Sequence, residues 1–183
     1  VLLLAMRINL LLIETDYLYR INLSNRLKEG DFRIFSANQP KEIKRLIKKK
    51  KIDVALLDLS GLKLEGLKIL SLIKKLNPLT EVITLNGSGN MSLSIDGMKR
   101  GAFDDLLIPF DINTLTERIK TAYAQKRQRE AKTAISGYQK VMMAATFAEA
   151  GESETAKALM DNRKKSSVDP NTKGERNGGQ RQH

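Results

Sequence analysis

The sequence predicts an α/β fold in which a parallel sheet is covered by helices on both faces. Three observations lead there. Short apolar runs of strand length alternate with segments whose apolar residues recur at helical spacing. The run at residues 54–57, Val-Ala-Leu-Leu, has no polar position to turn toward water, so both of its faces are buried, as in a parallel sheet. Asp58 follows that run directly, at the carboxyl end of a strand, where open α/β sheets place their ligands.

Residues 8–13 are apolar apart from Asn9 and read as the first strand. Glu14, Thr15 and Asp16 close it, and Asp16 is placed to cap the following helix. Leu18, Ile21, Leu23 and Leu27 lie roughly on one face of that helix, and Gly30 ends it. Phe32, Ile34 and Ser36 alternate with Arg33 and Phe35 in a short second strand. Asn38 and Pro40 open a second helix that turns Ile43, Leu46 and Ile47 inward and its lysines outward. Residues 52–57 are the third strand. Leu67, Leu70, Ile73 and Leu76 mark a third helix that stops before Pro78.

Residues 81–85, with β-branched Val82, Ile83 and Thr84, form the fourth strand, and residues 86–90 a Gly/Ser loop. Leu93, Ile95 and Met98 belong to a short helix ending at Gly101. Residues 106–108 are the fifth strand, ended by Pro109. Ile112, Leu115, Ile119, Ala122 and Tyr123 are the inward stripe of a fifth helix. Such alternation implies right-handed crossovers. The simplest arrangement at this size is a flavodoxin-like (βα)5 sheet in the order 2-1-3-4-5, with a C-terminal helical hairpin after it.

Residues 7–127 therefore form the main domain. The run KRQREAK at 126–132 is a polar helical stretch or linker. Within an extension at 128–162, Ile135, Tyr138, Val141 or Met142, Ala145 and Ala148 recur at helical spacing, Gly151 breaks the pattern, and Ser153 is placed to cap a second helix carrying Ala156, Leu159 and Met160. This hairpin has too little apolar surface to fold alone, so it is expected to dock on the main domain or on another chain. Residues 163–183 are basic and polar and are expected to be disordered. The apolar residues 1–5 read as a loose extension of the first strand, or as a stretch before a start at Met6. They are too short to span a membrane and lack the pattern of a signal peptide.

The chain has 32 Lys and Arg against 21 Asp and Glu, a net charge of +11. That charge suits nucleic acid, anionic lipid or an acidic partner, but solvated helix faces explain it more simply. There is no cysteine, and the single His183 is the last residue, so disulfides, thiolate metal sites, histidine clusters and histidine triads are excluded. With no nucleophile–base pair in view the chain is not expected to be an enzyme. The absence of cysteine fits a reducing, cytoplasmic location. The basic run at 44–51 lacks interleaved aromatics, and no helix-turn-helix pattern follows, so nucleic acid is not expected as a partner; nor is a membrane. The Gly87-Ser88-Gly89 loop lacks the spacing of a phosphate-binding motif.

Four landmarks occur in order: IDVALLDL at 52–59, Gly66, EVITLNGSG at 81–89, and MKRGAFDDLLIPFDINTL at 98–115. Together they resemble the receiver domain of bacterial two-component response regulators, the CheY-like family. The resemblance implies transfer of a phosphoryl group from a histidine kinase to Asp58, the phosphoacceptor position, with Mg2+ held by acids after the first strand and by Asp58 itself. It also implies a Lys before the Pro that pairs with the phosphate, and a Thr or Ser ending the fourth strand that drives the switch. This chain departs at each helper. The acid pair falls on Glu14 and Thr15, leaving a weakened metal site of Glu14 and Asp58. The Lys position is Ile108, the Thr/Ser position is Asn86, and Asp105 stands where an aromatic ring swings between buried and exposed states. Ser60, Gly61 and Leu62 replace the common Met-Pro after the acceptor.

The resemblance thus implies an atypical receiver acting in two-component or phosphorelay signalling by protein–protein contact, with phosphorylation of Asp58 only weakly supported. The alternatives are a conventional phospho-switch phosphorylated at Asp58 by a histidine kinase and, behind it, a nucleic-acid-binding module using the basic faces. The expected partner is a histidine kinase or another signalling protein. The fourth and fifth helices and the fifth strand are the family's usual partner face, and the last helices offer a homodimer contact.

Overall fold

The computed structural model describes residues 7–28 and 30–165, with side chains to residue 161. Its elements alternate as the sequence predicts: β1 Ile8–Ile13, α1 Tyr17–Leu27, β2 Phe32–Ala37, α2 Pro40–Lys49, β3 Val54–Asp58, α3 Leu59–Leu76, β4 Glu81–Gly87, α4 Met91–Lys99, β5 Asp104–Ile108, α5 Ile112–Glu149 and α6 Ser153–Lys165. The five strands form one sheet in the order β2-β1-β3-β4-β5. Every pairing is parallel, and β3 lies at the centre.

Strand alternation sorts the core into two layers. Val54 and Leu56 join Leu10, Leu12, Ile83 and Leu85 on the face covered by Leu23 and Leu27 of α1 and Leu115, Ile119 and Ala122 of α5. Ala55 and Leu57 join Leu11, Ile13 and Val82 on the face covered by Ile43 and Ile47 of α2 and Leu67, Leu70 and Ile73 of α3. No residue of β3 reaches solvent to any extent, as its unbroken apolar run requires. At Gly66 the α3 backbone passes so close to Leu59 that a Cβ would overlap the Leu59 side chain and force it to shift. The first turn of α3 is set off from the rest by Lys63, whose φ of 49° lies in the left-handed region.

Several boundaries differ from the expected ones. Asn86 and Gly87 are the last two residues of β4 rather than the start of a loop, because pairing with β5 continues through Asn86↔Leu107 and Gly87↔Ile108. For the same reason β5 begins at Asp104, paired with Ile83, two residues earlier than its apolar run suggested. The KRQREAK stretch is no break: helix α5 continues through it, since the stretch contains neither Gly nor Pro. Within it Glu130 pairs with both Arg127 at 3.1 Å and Lys126 at 3.6 Å, each on the same helical face.

Two buried ion pairs fasten this part of α5 to the amino-terminal edge of the sheet. Lys126, with only 5% of its side chain exposed, reaches Asp53 Oδ1 at 2.6 Å and also donates to the Ile52 carbonyl. Glu81 accepts from Lys74 at 3.0 Å and from Arg129 at 2.7 Å. Burial pushes the Glu81 carboxyl up, but the hydrogen bonds from Lys74 and Arg129 outweigh it and hold the group below the usual carboxylate range.

The chain divides into two compact units between Ala131 and Lys132. In the second unit Ala144 of α5 and Ala156 of α6 are buried, while Ile135, Tyr138 and Met142 are exposed. Residues 1–6, and residues 166–183 of the expected disordered tail, lie outside the described residues. Residues 163–165 of that tail belong to α6. Among the described residues no helix is long and apolar enough to cross a membrane.

Candidate functional site

The carboxyl ends of β1, β3, β4 and β5 bring most of the predicted site residues to one edge of the sheet. Ile13 is level with Leu57 in the β1–β3 register, so Glu14 follows beside Asp58. Asp58 is itself level with Leu85 in the β3–β4 register, so Asn86 stands one residue further along the neighbouring strand.

Asp58 is almost fully buried and caps α3. Its Oδ1 accepts from the Ser60 amide and its Oδ2 from the Gly61 amide, both at 2.8 Å. Such a cap satisfies helix donors that would otherwise have no partner. Gly61 is tight for a second reason: a Cβ there would overlap Asp58 Oδ2 and lie 3.0 Å from Thr15 Oγ1, so the Thr15 hydroxyl lines the same spot.

Glu14 is equally buried. Its Oε1 accepts from the Asp16 amide at 2.9 Å, and its carbonyl accepts from Arg20 Nη1 at 2.8 Å. Burial raises the Glu14 carboxyl above its ordinary value, the Asp16 amide opposes this, and the charge of Asp58 raises it further. Asp58 is also raised, chiefly by burial, against the pull of the Gly61 and Ser60 amides and of a hydrogen bond with Glu14. Tyr19 is raised by burial and then by the charges of Glu14 and Asp58.

Both raised carboxyls weaken the fold where they are ionised. The unfolded chain releases these protons at ordinary carboxylate pH, while the folded chain holds them longer. Their contribution is therefore fully present below the ordinary value and is lost as pH rises through the folded values. Asp58→Asn removes one buried charge but keeps only one of the two cap acceptors, since its amide nitrogen would face the Ser60 or the Gly61 amide as a second donor. The substitution should flatten the fall in melting temperature between mildly acidic and neutral pH, because the group that titrates there is gone. Thermal denaturation across that range checks it; a fall in melting temperature as steep as in the natural protein would contradict it.

The remaining predicted residues behave differently. Ile108 is half-buried and packs against the core layer around Leu56 and Leu85, offering an apolar side chain and no charge. Asp105 and Asp104 point to opposite sides, as neighbours on a strand must. Asp104 pairs with Arg118 of α5 at 3.1 Å. Asp105 instead takes a hydrogen bond from Thr84 on β4 at 2.5 Å and another from Ser94 on α4 at 2.6 Å. Asn86 is fully buried and donates to Ser94 Oγ at 2.8 Å and to the Asn90 carbonyl at 3.1 Å.

As a cation site the oxygen set is thin. Among the described residues no group of three or more His, Cys, Asp or Glu is placed to hold a metal. Both Asp58 oxygens and one Glu14 oxygen already accept backbone hydrogen bonds. Magnesium asks for six oxygens in a tight octahedron, and this set fits it poorly.

The family model for the response regulator receiver domain matches residues 10–120, well over half of the chain. The chain belongs to the response regulator receiver family. It is 24% identical over 156 residues to the transcriptional regulatory protein ZraR of Klebsiella oxytoca, covering 85% of this chain and 34% of that protein. It is 28% identical over 118 residues to an NtrX-like response regulator of Rickettsia felis, covering 63% of this chain and 25% of that protein. The chain thus spans between a quarter and about a third of the length of these relatives. Among solved structures it resembles a response regulator receiver domain protein from Clostridium thermocellum at 29% identity and a TM-score of 0.61, covering 66% of this chain and 98% of that one.

This receiver therefore belongs to two-component signalling, and its sheet order is the one the sequence predicted. Sequence reasoning named Glu14, Asp58, Asn86, Ile108 and Asp105, and the fold sets Glu14, Asp58 and Asn86 at adjoining strand ends. It missed Ser94, whose partners Asn86 and Asp105 lie eight and eleven residues away and on other strands. The visible signal was an acid where the receiver pattern has a ring: a carboxylate at a half-buried strand position needs donors.

Proposed function

We propose that this receiver signals chiefly by protein–protein contact and that phosphorylation of Asp58 is at most a weak input. The observation that carries this is the state of the strand ends around Asp58. The Lys position holds Ile108, packed among core residues, and the second acid position holds Thr15. A phosphoryl group arriving at Asp58 brings negative charge into a buried site beside a second carboxyl, that of Glu14. Without a paired cation that charge is costly. A divalent cation would have to be held by Glu14 and Asp58 and would supply charge neutralisation; Glu14 and the Thr15 hydroxyl are the side chains left to orient it.

The partner face in this reading is α4 with β5. Met91 and Ile95 on α4 and Leu107 on β5 are all about half exposed or more. Exposed apolar side chains of this kind suit a protein partner, a histidine kinase or another signalling protein. The last helices, with Ile135, Tyr138 and Met142 exposed, provide the surface for a homodimer in the same reading.

Incubation with acetyl phosphate and magnesium, followed by intact mass analysis, tests the proposal. Little or no phosphorylated species is expected over a time in which a conventional receiver is labelled to a large fraction. Rapid labelling that disappears in Asp58→Asn would establish the phospho-switch instead.

A further inference from the structure

The hydrogen bonds around Asp105 run in one direction. Asn86 Nδ2 donates to the Asn90 carbonyl and to Ser94 Oγ. The Asn90 carbonyl can only accept, which fixes which end of the Asn86 amide faces α4. Ser94 Oγ gives its one proton to Asp105 Oδ2, and Thr84 Oγ1 gives its proton to Oδ1. The Asn86–Ser94 and Thr84 protons thus run toward the Asp105 carboxylate, and the second Asn86 proton goes to the Asn90 carbonyl. Both Asn86 amide protons are spent on α4 and on the loop before it, and Asn86 Oδ1 is left buried with no partner.

We propose that Asp105 is a positioning residue for Asp58: acting through Ser94, it turns the donor side of Asn86 toward α4 and away from service at Asp58, while pinning α4 against β4 and β5. This rests on the proposed place of Asp58 in the receiver. Asn86 ends the strand beside Asp58 and is the side-chain amide there that can donate. Phosphoryl oxygens only accept, so the uncommitted Asn86 Oδ1 offers them nothing. To serve Asp58 the amide must leave Ser94, and Ser94 is held by an ionised acceptor, the stronger class of hydrogen bond. Asp105 thus does continuously, as a fixed anion, what a transient anion at Asp58 would have to compete for. It also fixes the exposed face formed by Met91 and Ile95 in one position.

Two variants cut this chain at different links, Asp105→Ala and Ser94→Ala. NMR of the full chain with no phosphodonor gives two readouts, the side-chain amide signals of Asn86 and hydrogen exchange along α4. Each variant should shift the Asn86 side-chain signals and speed exchange of α4 amides about tenfold or more, the loss expected when a bond to a charged group is removed. The double variant should exchange its α4 amides no faster than Ser94→Ala alone, because Ser94→Ala already removes the bond that joins Asp105 to α4. Ser94→Thr, which keeps the hydroxyl, should restore slow exchange, and Asp104→Asn, which breaks only the pair with Arg118, should leave α4 unchanged. The proposal is overturned if the Asn86 signals and α4 exchange stay as in the natural protein, or if Asp105→Ala alone responds and Ser94→Ala does not. Should Asp105→Ala fail to fold, Ser94→Ala decides the matter. Because no phosphodonor is present, failure here leaves the proposed function standing, and labelling of Asp58 by acetyl phosphate would leave this latch standing.

Discussion

Asp53→Ala should lower the stability of the folded chain by about 3–5 kcal/mol, the usual cost of stranding one member of a buried ion pair. Asp53 sits just before β3 and receives two interactions at once, the Lys126 ammonium at 2.6 Å and the Asn9 amide at 2.8 Å. Removing it leaves the buried Lys126 ammonium with the Ile52 carbonyl and a more distant Glu130. The loss is a desolvation cost rather than the net worth of the pair, and that distinction can be tested. Adding Lys126→Met to Asp53→Ala removes the stranded charge and keeps the apolar stem, so the double variant should recover most of the loss. Urea denaturation of the four proteins in the cycle measures the coupling. Equal losses in Asp53→Ala and the double variant would mean that the stranded Lys126 charge is not the source of the loss.

The second large effect concerns the helpers missing around Asp58. Thr15→Asp with Ile108→Lys returns an acid to the β1 end and a cation to the β5 end. A charge-assisted contact to a phosphoryl group is worth about 1.5–3 kcal/mol, or roughly 10- to 100-fold in rate if it is made in the transition state. The returned carboxylate adds an oxygen ligand to a set that otherwise has only Glu14 and Asp58. Labelling of Asp58 by acetyl phosphate should therefore rise by about 100-fold in the double variant, and Ile108→Met, which adds no charge, should leave it unchanged. Circular dichroism confirms that the variants are folded. A folded double variant labelled no faster than the natural protein would show that something other than these two helpers limits the reaction.

These effects divide along the line between what the sequence makes legible and what it does not. The central strand was plain because an unbroken apolar run can satisfy both faces only between two helical layers, and both layers are present around Val54–Asp58. The residues Glu14, Ile108, Asn86 and Asp105 are visible in the sequence as changes of chemistry at fixed places in an ordered pattern, and the roles given to them remain a proposal. Lost from view were interactions that depend on how one element lies across another. Lys126 reads as one cation in a polar run, yet it is buried 73 residues from its partner Asp53 in the chain. Ser94 is an ordinary helix residue until α4 is laid over the end of β5. Asn86 and Gly87 looked like loop because glycine and asparagine favour turns, but parallel pairing with β5 overrides that local preference.

The central claim is that Asp58 occupies a receiver's acceptor position in a site no longer equipped to respond to a phosphoryl group. Backbone amide NMR of the natural protein, before and after addition of beryllofluoride with magnesium, tests this most directly. The account predicts small changes confined to residues beside Asp58, with the signals of α4 and β5 unmoved. Large changes reaching Ser94 and Asp105, and absent in Asp58→Asn, would contradict it.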